Sequence, residues 1–185
     1  CGIQVCCVMT DGSKPVGAGV GPVEEARDLL SVLQCDTNAP MDLRERALTL
    51  AAHLIDLANG SGFEQALIKA TELLDSGQAW SQFKRIAGAQ GGLKTLPKPH
   101  YHHVEFVNRT VIIEAIDNRK LARLAKLAGA PFSVCAGLRL HGNVGDRIAQ
   151  GEPLFTLFSD STGERDYALA YYRNNADIFT LQDCS

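Results

Sequence analysis

The chain has 185 residues, a formal net charge of −3 and 45% apolar residues, values typical of a globular protein of one domain or two small ones. No basic patch indicates a nucleic-acid partner, and no acidic block indicates a solvating tail. No apolar run approaches the roughly 18 residues of a membrane span, and no stretch has the pattern of a signal peptide. We therefore expect a cytoplasmic protein that binds neither nucleic acid nor membranes.

The first ten residues predict a buried strand. Ile3–Thr10 is a run of β-branched and apolar residues, the composition of a strand in a core. Natural chains seldom open within a core strand, as this one does at Cys1, so we expect a fragment of a longer protein. Cysteines lie at positions 1, 6, 7, 35, 135 and 184. Their spacing suggests no disulfide framework, which predicts free thiols in a reducing compartment.

A glycine-rich loop, Thr10 to Pro22, follows with four glycines and two prolines in thirteen positions. Because glycine has no Cβ, such a loop can bring backbone groups close to a ligand. The helix N-terminus after it can hold an anion. The segment is neither a P-loop nor an in-register GxGxxG motif, so an ordinary turn and a ligand loop both fit the spacing.

Helices dominate the rest of the first half. Apolar residues at helical spacing predict a first helix over Val23–Gln34. The second helix is predicted over Leu43–Ala58, with Asp42 as its N-cap and Asn59-Gly60 at its end. The third is predicted from Ser61 or Gly62 to Asp75, and the fourth over Gln78–Ala89. Gly91-Gly92 and the prolines of LPKP, at 96–99, then mark a boundary. We expect two domains, 1–95 and 96–185.

The second half predicts an α+β module. HVEFVN and TVIIEAI indicate strands, and Asp117–Ala128 indicates a short basic helix. Residues 137–159 predict three strands joined by two turns, followed by a helix over Glu164–Asn174 and a last strand at Ile178–Leu181.

Several polar residues of this half suggest chemistry. His100, His102, His103 and His141 invite a zinc hypothesis, but no cysteine or carboxylate completes a recognisable ligand spacing. Solvated or structural histidines are the favoured interpretation. Asp117, Asp146 and Asp160 are interpreted as turn or cap residues rather than catalytic acids.

The segment LHGNVGDRIAQGEPLFTL looks like the hairpin of a biotinyl or lipoyl carrier domain. Its turns are predicted at Gly145-Asp146 and Gly151-Glu152, and its core at Ile148, Leu154 and Leu157. A carrier domain needs a lysine at the hairpin tip, and no lysine follows Lys126. A barrel-like fold without carrier function is therefore expected.

Taken in order, five segments resemble thymidine and pyrimidine-nucleoside phosphorylases, in particular the group related to archaeal AMP phosphorylase. They are TDGSKPVGAGVGPVEEARDLLSVL, DLRERALTLAAHLIDLA, AQGG, AIDNRKLARLAKLAGAP and GLRLHGNVGDRIAQGEPLFTLFS. The resemblance implies an α/β (α+β) fold. Residues 1–95 would be the C-terminal part of the phosphorylase α/β domain, with part of a mixed sheet and helices. Residues 96–185 would be the C-terminal domain, a module resembling a barrel-sandwich hybrid.

The resemblance also implies an activity for the parent protein. Such enzymes are homodimers in which phosphate attacks the sugar C1′ of a pyrimidine nucleoside, so that the base leaves and a 1-phosphosugar forms. In this family the base-binding residues, the catalytic histidine and the phosphate loop precede the segment that resembles Cys1–Thr10. We therefore expect no catalytic or substrate-binding residue in this chain, and no phosphorolysis from it alone.

One site of the family is implied for this chain. Aligned by motif, the carbonyls of Val16 and Gly19 and the carboxylate of Asp28 would hold a potassium ion. A hard cation prefers oxygen ligands, and a glycine-rich loop exposes carbonyls. From the sequence alone, Asp28 fits a solvated helix face equally well.

Three alternative functions stay open. The first is a nucleoside-monophosphate phosphorylase of the AMP type, and the second is a non-catalytic dimerisation module. The third is a carrier domain, which the missing lysine disfavours.

Overall fold

The computed structural model describes residues 2–184, so Cys1 lies outside the described residues and our inference from its position stays a prediction. The described chain has six α-helices: α1 Pro22–Leu33, α2 Met41–Asn59, α3 Phe63–Asp75, α4 Gln78–Ala89, α5 Asn118–Leu127 and α6 Thr162–Asn174. Its strands are β1 Gly19–Val20, β2 Tyr101–Phe106, β3 Val111–Ile116, β4 Gly137–Leu140, β5 Arg147–Ile148, β6 Pro153–Ser159 and β7 Phe179–Asp183. All six helices were predicted to within a few residues.

The chain forms two compact units. One comprises the first ten residues and Asp28–Thr95, and the other comprises Asp11–Arg27 and the residues from Leu96 onward. Helix α1 is continuous across the point where the chain passes from one unit to the other. The assignment of protein domains to 1–95 and 96–185 stays a prediction.

The helical unit is built around α2 and α3, which are joined by a glycine turn. Gly60 ends α2 in the left-handed conformation with φ 65°, as the Asn59-Gly60 pair predicts. The N-cap of α2 is Pro40 rather than Asp42, whose carboxylate accepts the adjacent Leu43 N–H at 2.8 Å. The buried core residues of this unit include a cluster formed by Val32, Ala39, Leu48, Ala70 and Leu74.

The predicted strand at Ile3–Thr10 is wrong. Residues 2–10 have no regular secondary structure, and Ile3, Val5 and Met9 are 77%, 75% and 99% exposed. An isolated extended segment gains no ladder hydrogen bonds, so its β-propensity alone cannot hold it as a strand.

The second unit contains two antiparallel sheets. One has the strand order β1-β4-β6-β2 and the other β5-β3-β7. Strand β6 is buried at four consecutive positions, Leu154–Leu157, so both of its faces are covered, whereas no residue of β2 is fully buried. The core between the strands and helices α5 and α6 includes Ile113, Leu121, Leu138, Phe155 and Ile178, each at most 2% exposed.

The α+β class is therefore confirmed, with two corrections. Every strand pairing among the described residues is antiparallel, so no mixed sheet is present there. The seven strands divide between two open sheets and close no barrel within residues 2–184. No helix of the described chain is long and apolar enough to cross a membrane.

Candidate functional site

The glycine-rich loop is fastened at its start by local hydrogen bonds. Asp11 Oδ1 accepts the backbone N–H of Ser13 at 2.8 Å and its hydroxyl at 2.7 Å, an Asx turn of the kind that aspartate favours. The Gly12 carbonyl accepts the side-chain amide of Asn118 at 2.9 Å. The loop is thus tied to the start of α5 before it reaches β1.

Strand β1 then lies against β4 at very close range. Gly19 is opposite Arg139, and Val20 is opposite Leu138. A Cβ added at Gly137, where φ is 152°, would meet the Val20 oxygen at 2.2 Å, and one at Gly21, where φ is 118°, would meet the Ala136 oxygen at 2.5 Å. Only glycine allows this approach of two backbones. Gly21 of the loop therefore has a structural role that is independent of any ligand.

A buried ion pair holds the first turn of α1 on the same strand. Glu24 is 3% exposed, and its Oε2 accepts the Arg139 Nε–H at 2.6 Å. Its Oε1 accepts both the Nε–H and the Nη2–H of Arg27 at 3.3 Å. Because a buried carboxylate is costly without partners, this pair fixes the direction in which α1 leaves the loop.

The N-terminus of α1 offers no free anion site. The Gly21 N–H donates to Glu25 Oε1 at 2.9 Å, and the Val23 N–H donates to the Val134 carbonyl at 3.2 Å. The carboxylates of Glu24 and Glu25 already place negative charge at this end of the helix dipole. These contacts favour the ordinary turn over an anion-binding loop at this N-terminus.

The residues predicted to hold an ion occupy three different environments. Val16 is half-buried in the loop, whereas Gly19 is buried in β1. The Ala18 carbonyl accepts the Leu140 N–H at 2.8 Å. Backbone groups alternate sides along a strand, so the Gly19 carbonyl is directed away from β4. Asp28, in the middle of α1, is 3% exposed, which excludes the solvated helix face.

His100 and His141 make polar contacts within the second unit, which supports the structural interpretation. His100 Nδ1 lies 3.1 Å from Asp160 Oδ1, and His141 Nε2 lies 2.8 Å from Thr156 Oγ1. Burial lowers the pKa of His141, and the positive charge of Arg139 is the second cause of this lowering. Among residues 2–184 no group of three histidine, cysteine, aspartate or glutamate side chains is placed to hold a metal ion.

Asp160 has a role that the sequence did not reveal. Its carboxylate accepts the Ser133 hydroxyl and the backbone N–H of His100 at 3.3 Å, so it joins segments far apart in the chain. The Ser133 hydrogen bond is the main cause that lowers the pKa of this carboxyl. Asp117 is an N-cap that accepts the Arg119 and Lys120 N–H groups at 3.0 Å, as predicted.

The carrier-like hairpin has the predicted turns and core. Gly145 and Gly151 have φ of 98° and 84°, and Asp146 Oδ2 accepts the Asn143 N–H at 2.8 Å. The predicted core residues Ile148, Leu154 and Leu157 are all buried, as expected.

A cleft of about 500 Å³ lies beside the loop. Its lining is mainly apolar and includes Gly21 and Pro22 at the end of the loop and Ala122 and Ala125 of α5. Phe132, 95% exposed, lies at its margin.

Part of the second unit matches a known family. Residues 112–179 match the family described as the pyrimidine nucleoside phosphorylase C-terminal domain.

Similarity to individual proteins extends over the whole chain. A protein of Acidovorax sp. named "Putative thymidine phosphorylase 2" is 48% identical over 183 residues, which cover 98% of this chain and 36% of that protein. A Legionella pneumophila protein of the same type of name is 46% identical over 186 residues, which cover 100% of this chain and 36% of that protein. A Cupriavidus necator homologue is 46% identical over 92% of this chain and 33% of its own length. The chain spans about a third of the length of these curated relatives.

Proposed function

Because residues 112–179 form a pyrimidine nucleoside phosphorylase C-terminal domain, we propose that this chain is the C-terminal part of a thymidine phosphorylase. Its parent cleaves thymidine with phosphate as co-substrate in pyrimidine nucleoside salvage. A phosphate oxygen bonds to the sugar C1′ as the C1′–N1 bond breaks, giving 2-deoxyribose 1-phosphate and a thymine anion that takes up a proton. The similarity of the entire chain to proteins named as thymidine phosphorylases carries this proposal.

Exposed apolar surface supports a place within a larger protein. Helix α2 leaves Leu50, Leu54 and Leu57 at 44%, 68% and 38% exposure, at a spacing that aligns them on one helix face. An apolar stripe of this kind is typical of a surface that packs against further protein. We propose that the base-binding and catalytic residues belong to that further protein, and that these 185 residues alone do not cleave thymidine.

A chimaera tests the proposed activity. The part of the Acidovorax relative that precedes its region of similarity is joined to this chain, and free base is measured with thymidine, uridine or AMP plus phosphate. We expect thymine release by the chimaera and none by the 185-residue chain. Turnover of AMP instead would favour a nucleoside-monophosphate phosphorylase. If the intact relative is active and the folded chimaera is not, the chain is a non-catalytic module.

We further propose that the carbonyls of Val16 and Gly19 and the carboxylate of Asp28 hold a potassium ion. Three oxygen donors suit this hard cation. The burial of Asp28 and the resemblance of this segment to the phosphorylases support their assignment. When bound, the ion would place a positive charge beside the Asp28 carboxylate and hold the loop carbonyls in one orientation.

Substitution of Asp28 tests the ion site. In the chimaera, Asp28→Asn should raise the potassium concentration needed for half-maximal thymine release by roughly tenfold or more, as loss of a group supporting a metal usually does. Asp166→Asn, at a carboxylate that is 64% exposed on α6, is the matched control and should leave that concentration unchanged. Equal potassium dependence in both variants contradicts the site.

A further inference from the structure

Strand β2 presents an open edge. It is the last strand of the four-stranded sheet, and among residues 2–184 it pairs with β6 alone. The residues Tyr101–Phe106 include no lysine and no proline, which are the residues that proteins commonly place on such edges to prevent further pairing. His102 is exposed and Phe106 is 57% exposed, so their side chains do not close the edge.

The ladder shows which backbone groups point outward. The Leu140 N–H donates to the Ala18 carbonyl, on the β1 side of β4. Because backbone groups alternate sides along a strand, the N–H and C=O of the preceding residue, Arg139, point to the other side, toward Thr156 of β6. Along β6 the backbone groups alternate in the same way. The N–H and C=O of Leu157 therefore point to β2, where His103 is the opposite residue. The N–H and C=O groups of His102 and Val104 consequently point to the open edge.

The sequence of this edge is complementary to itself. When two copies of HHVEF run antiparallel with Val104 opposite Val104, His103 lies opposite Glu105 and His102 lies opposite Phe106. His103 and Glu105 already pair within one strand, with Nε2 to Oε2 at 3.1 Å and a third of each side chain exposed. In the pairing of two copies, each side chain would gain a second hydrogen-bonding partner across the strands.

We propose that β2 pairs antiparallel with β2 of a second copy of this chain, about a two-fold axis at Val104. The paired residues are 102–106 of each copy, and the two four-stranded sheets become one continuous sheet. The bulge near Phe106 does not interrupt this edge, because its extra residue, Leu154, belongs to β6. This inference does not depend on the proposed catalytic function.

Sedimentation velocity of the 185-residue chain over a range of concentrations, under reducing conditions, tests the pairing. We expect a reversible monomer–dimer equilibrium. Val104→Pro removes the outward N–H while sparing the bonds to β6, as proline on an edge strand does. Two hydrogen bonds are lost per dimer, so the dissociation constant should rise roughly tenfold or more. Val104→Thr, which keeps the N–H, should leave it nearly unchanged.

Charge substitutions provide an independent test if the proline variant does not fold. The variant His103→Glu has two acidic residues on each β2 edge, and the variant Glu105→Lys has no acidic residue on either edge. Each variant alone should dimerise less than the original chain. An equimolar mixture should form the heterodimer, because the glutamate introduced at position 103 of one copy then faces the lysine introduced at position 105 of the other. A chain that remains monomeric at all concentrations overturns the proposal. So does a dimer that persists in Val104→Pro or a mixture that fails to associate.

Discussion

Glu24 shows how much one side chain of the loop region contributes. It is almost fully buried at the first turn of α1 and bonds Arg139 on β4. The two residues are 115 positions apart, so the ion pair links the segment Asp11–Arg27 to the later part of its unit. Loss of one partner of a buried pair leaves the other charge unpaired, which is more costly than loss of a surface pair.

Glu24→Gln should therefore lower the free energy of unfolding of the second unit by about 2–3 kcal/mol, somewhat below the usual range because Arg139 is partly exposed. The four tyrosines of the chain all lie in this unit, whereas Trp80 lies in the helical unit, so near-ultraviolet circular dichroism of the tyrosines in a Trp80→Phe background measures the change during urea unfolding. Glu114→Gln, at an exposed glutamate of β3 in the same unit, should change stability by less than about 0.5 kcal/mol. Equal effects of both substitutions would contradict the role given to Glu24.

The sequence could not identify this pair. It placed Glu24 in the first helical turn, where the helix dipole alone justifies a carboxylate. Nothing in the local pattern distinguishes Glu24 from its neighbour Glu25, which instead accepts the Gly21 N–H. The partner Arg139 lies on a strand brought into position by the fold, and residue pairs so distant leave no periodic signal in one sequence. The links of Asp160 to Ser133 and His100 were missed for the same reason.

At the scale of elements, β1 and β4 depend on glycines rather than on propensity. Gly137→Ala places a methyl group 2.2 Å from the Val20 oxygen, at a φ that alanine rarely adopts. We expect it to reduce the stability of the second unit by about 3 kcal/mol or more, the range of severe backbone conflicts. The measurement is the urea midpoint of the same tyrosine signal.

Gly163→Ala is the control for this substitution. Gly163 lies in the first turn of α6, where the nearest neighbour of an added Cβ, Ser161 Oγ, is at an ordinary 3.8 Å. Alanine is the better helix former, so the variant should be unchanged or more stable by up to about 1 kcal/mol. A similar loss of stability in both variants would show that the close approach of β1 and β4 is not the cause.

The elements differ in how well they could be predicted. The helices follow from apolar spacing, glycine punctuation and the Asp117 cap, all of which act within a few residues. Strand β1 was missed because it has two residues and lies inside a glycine-rich segment. The strand expected at Ile3–Thr10 failed for the opposite reason, because β-rich composition does not supply the neighbouring strand that a ladder requires.

On the scale of the whole molecule, the chain between the two halves should be the first site of proteolysis. Residues 91–95 after α4 have no regular secondary structure beyond a turn and are exposed. Trypsin should cut first after Lys94, since Lys14 and Lys98 both precede proline and cleavage prefers exposed loops. Mass spectrometry of a brief digest should show fragments 1–94 and 95–185. Lys94→Gln should suppress this cut, and an earlier cut within α2 or α3 would contradict the expectation.

The second unit is assembled from two separate stretches of sequence, and this has a consequence for synthesis on the ribosome. Gly19 pairs with Arg139, 120 residues further along, whereas α2 and α3 pack with a nearby neighbour and can form as soon as they emerge. At common translation rates the segment Asp11–Arg27 waits roughly ten seconds for β4. During that interval α1 is anchored only through its C-terminal half, and the loop before it is exposed to chaperones and proteases.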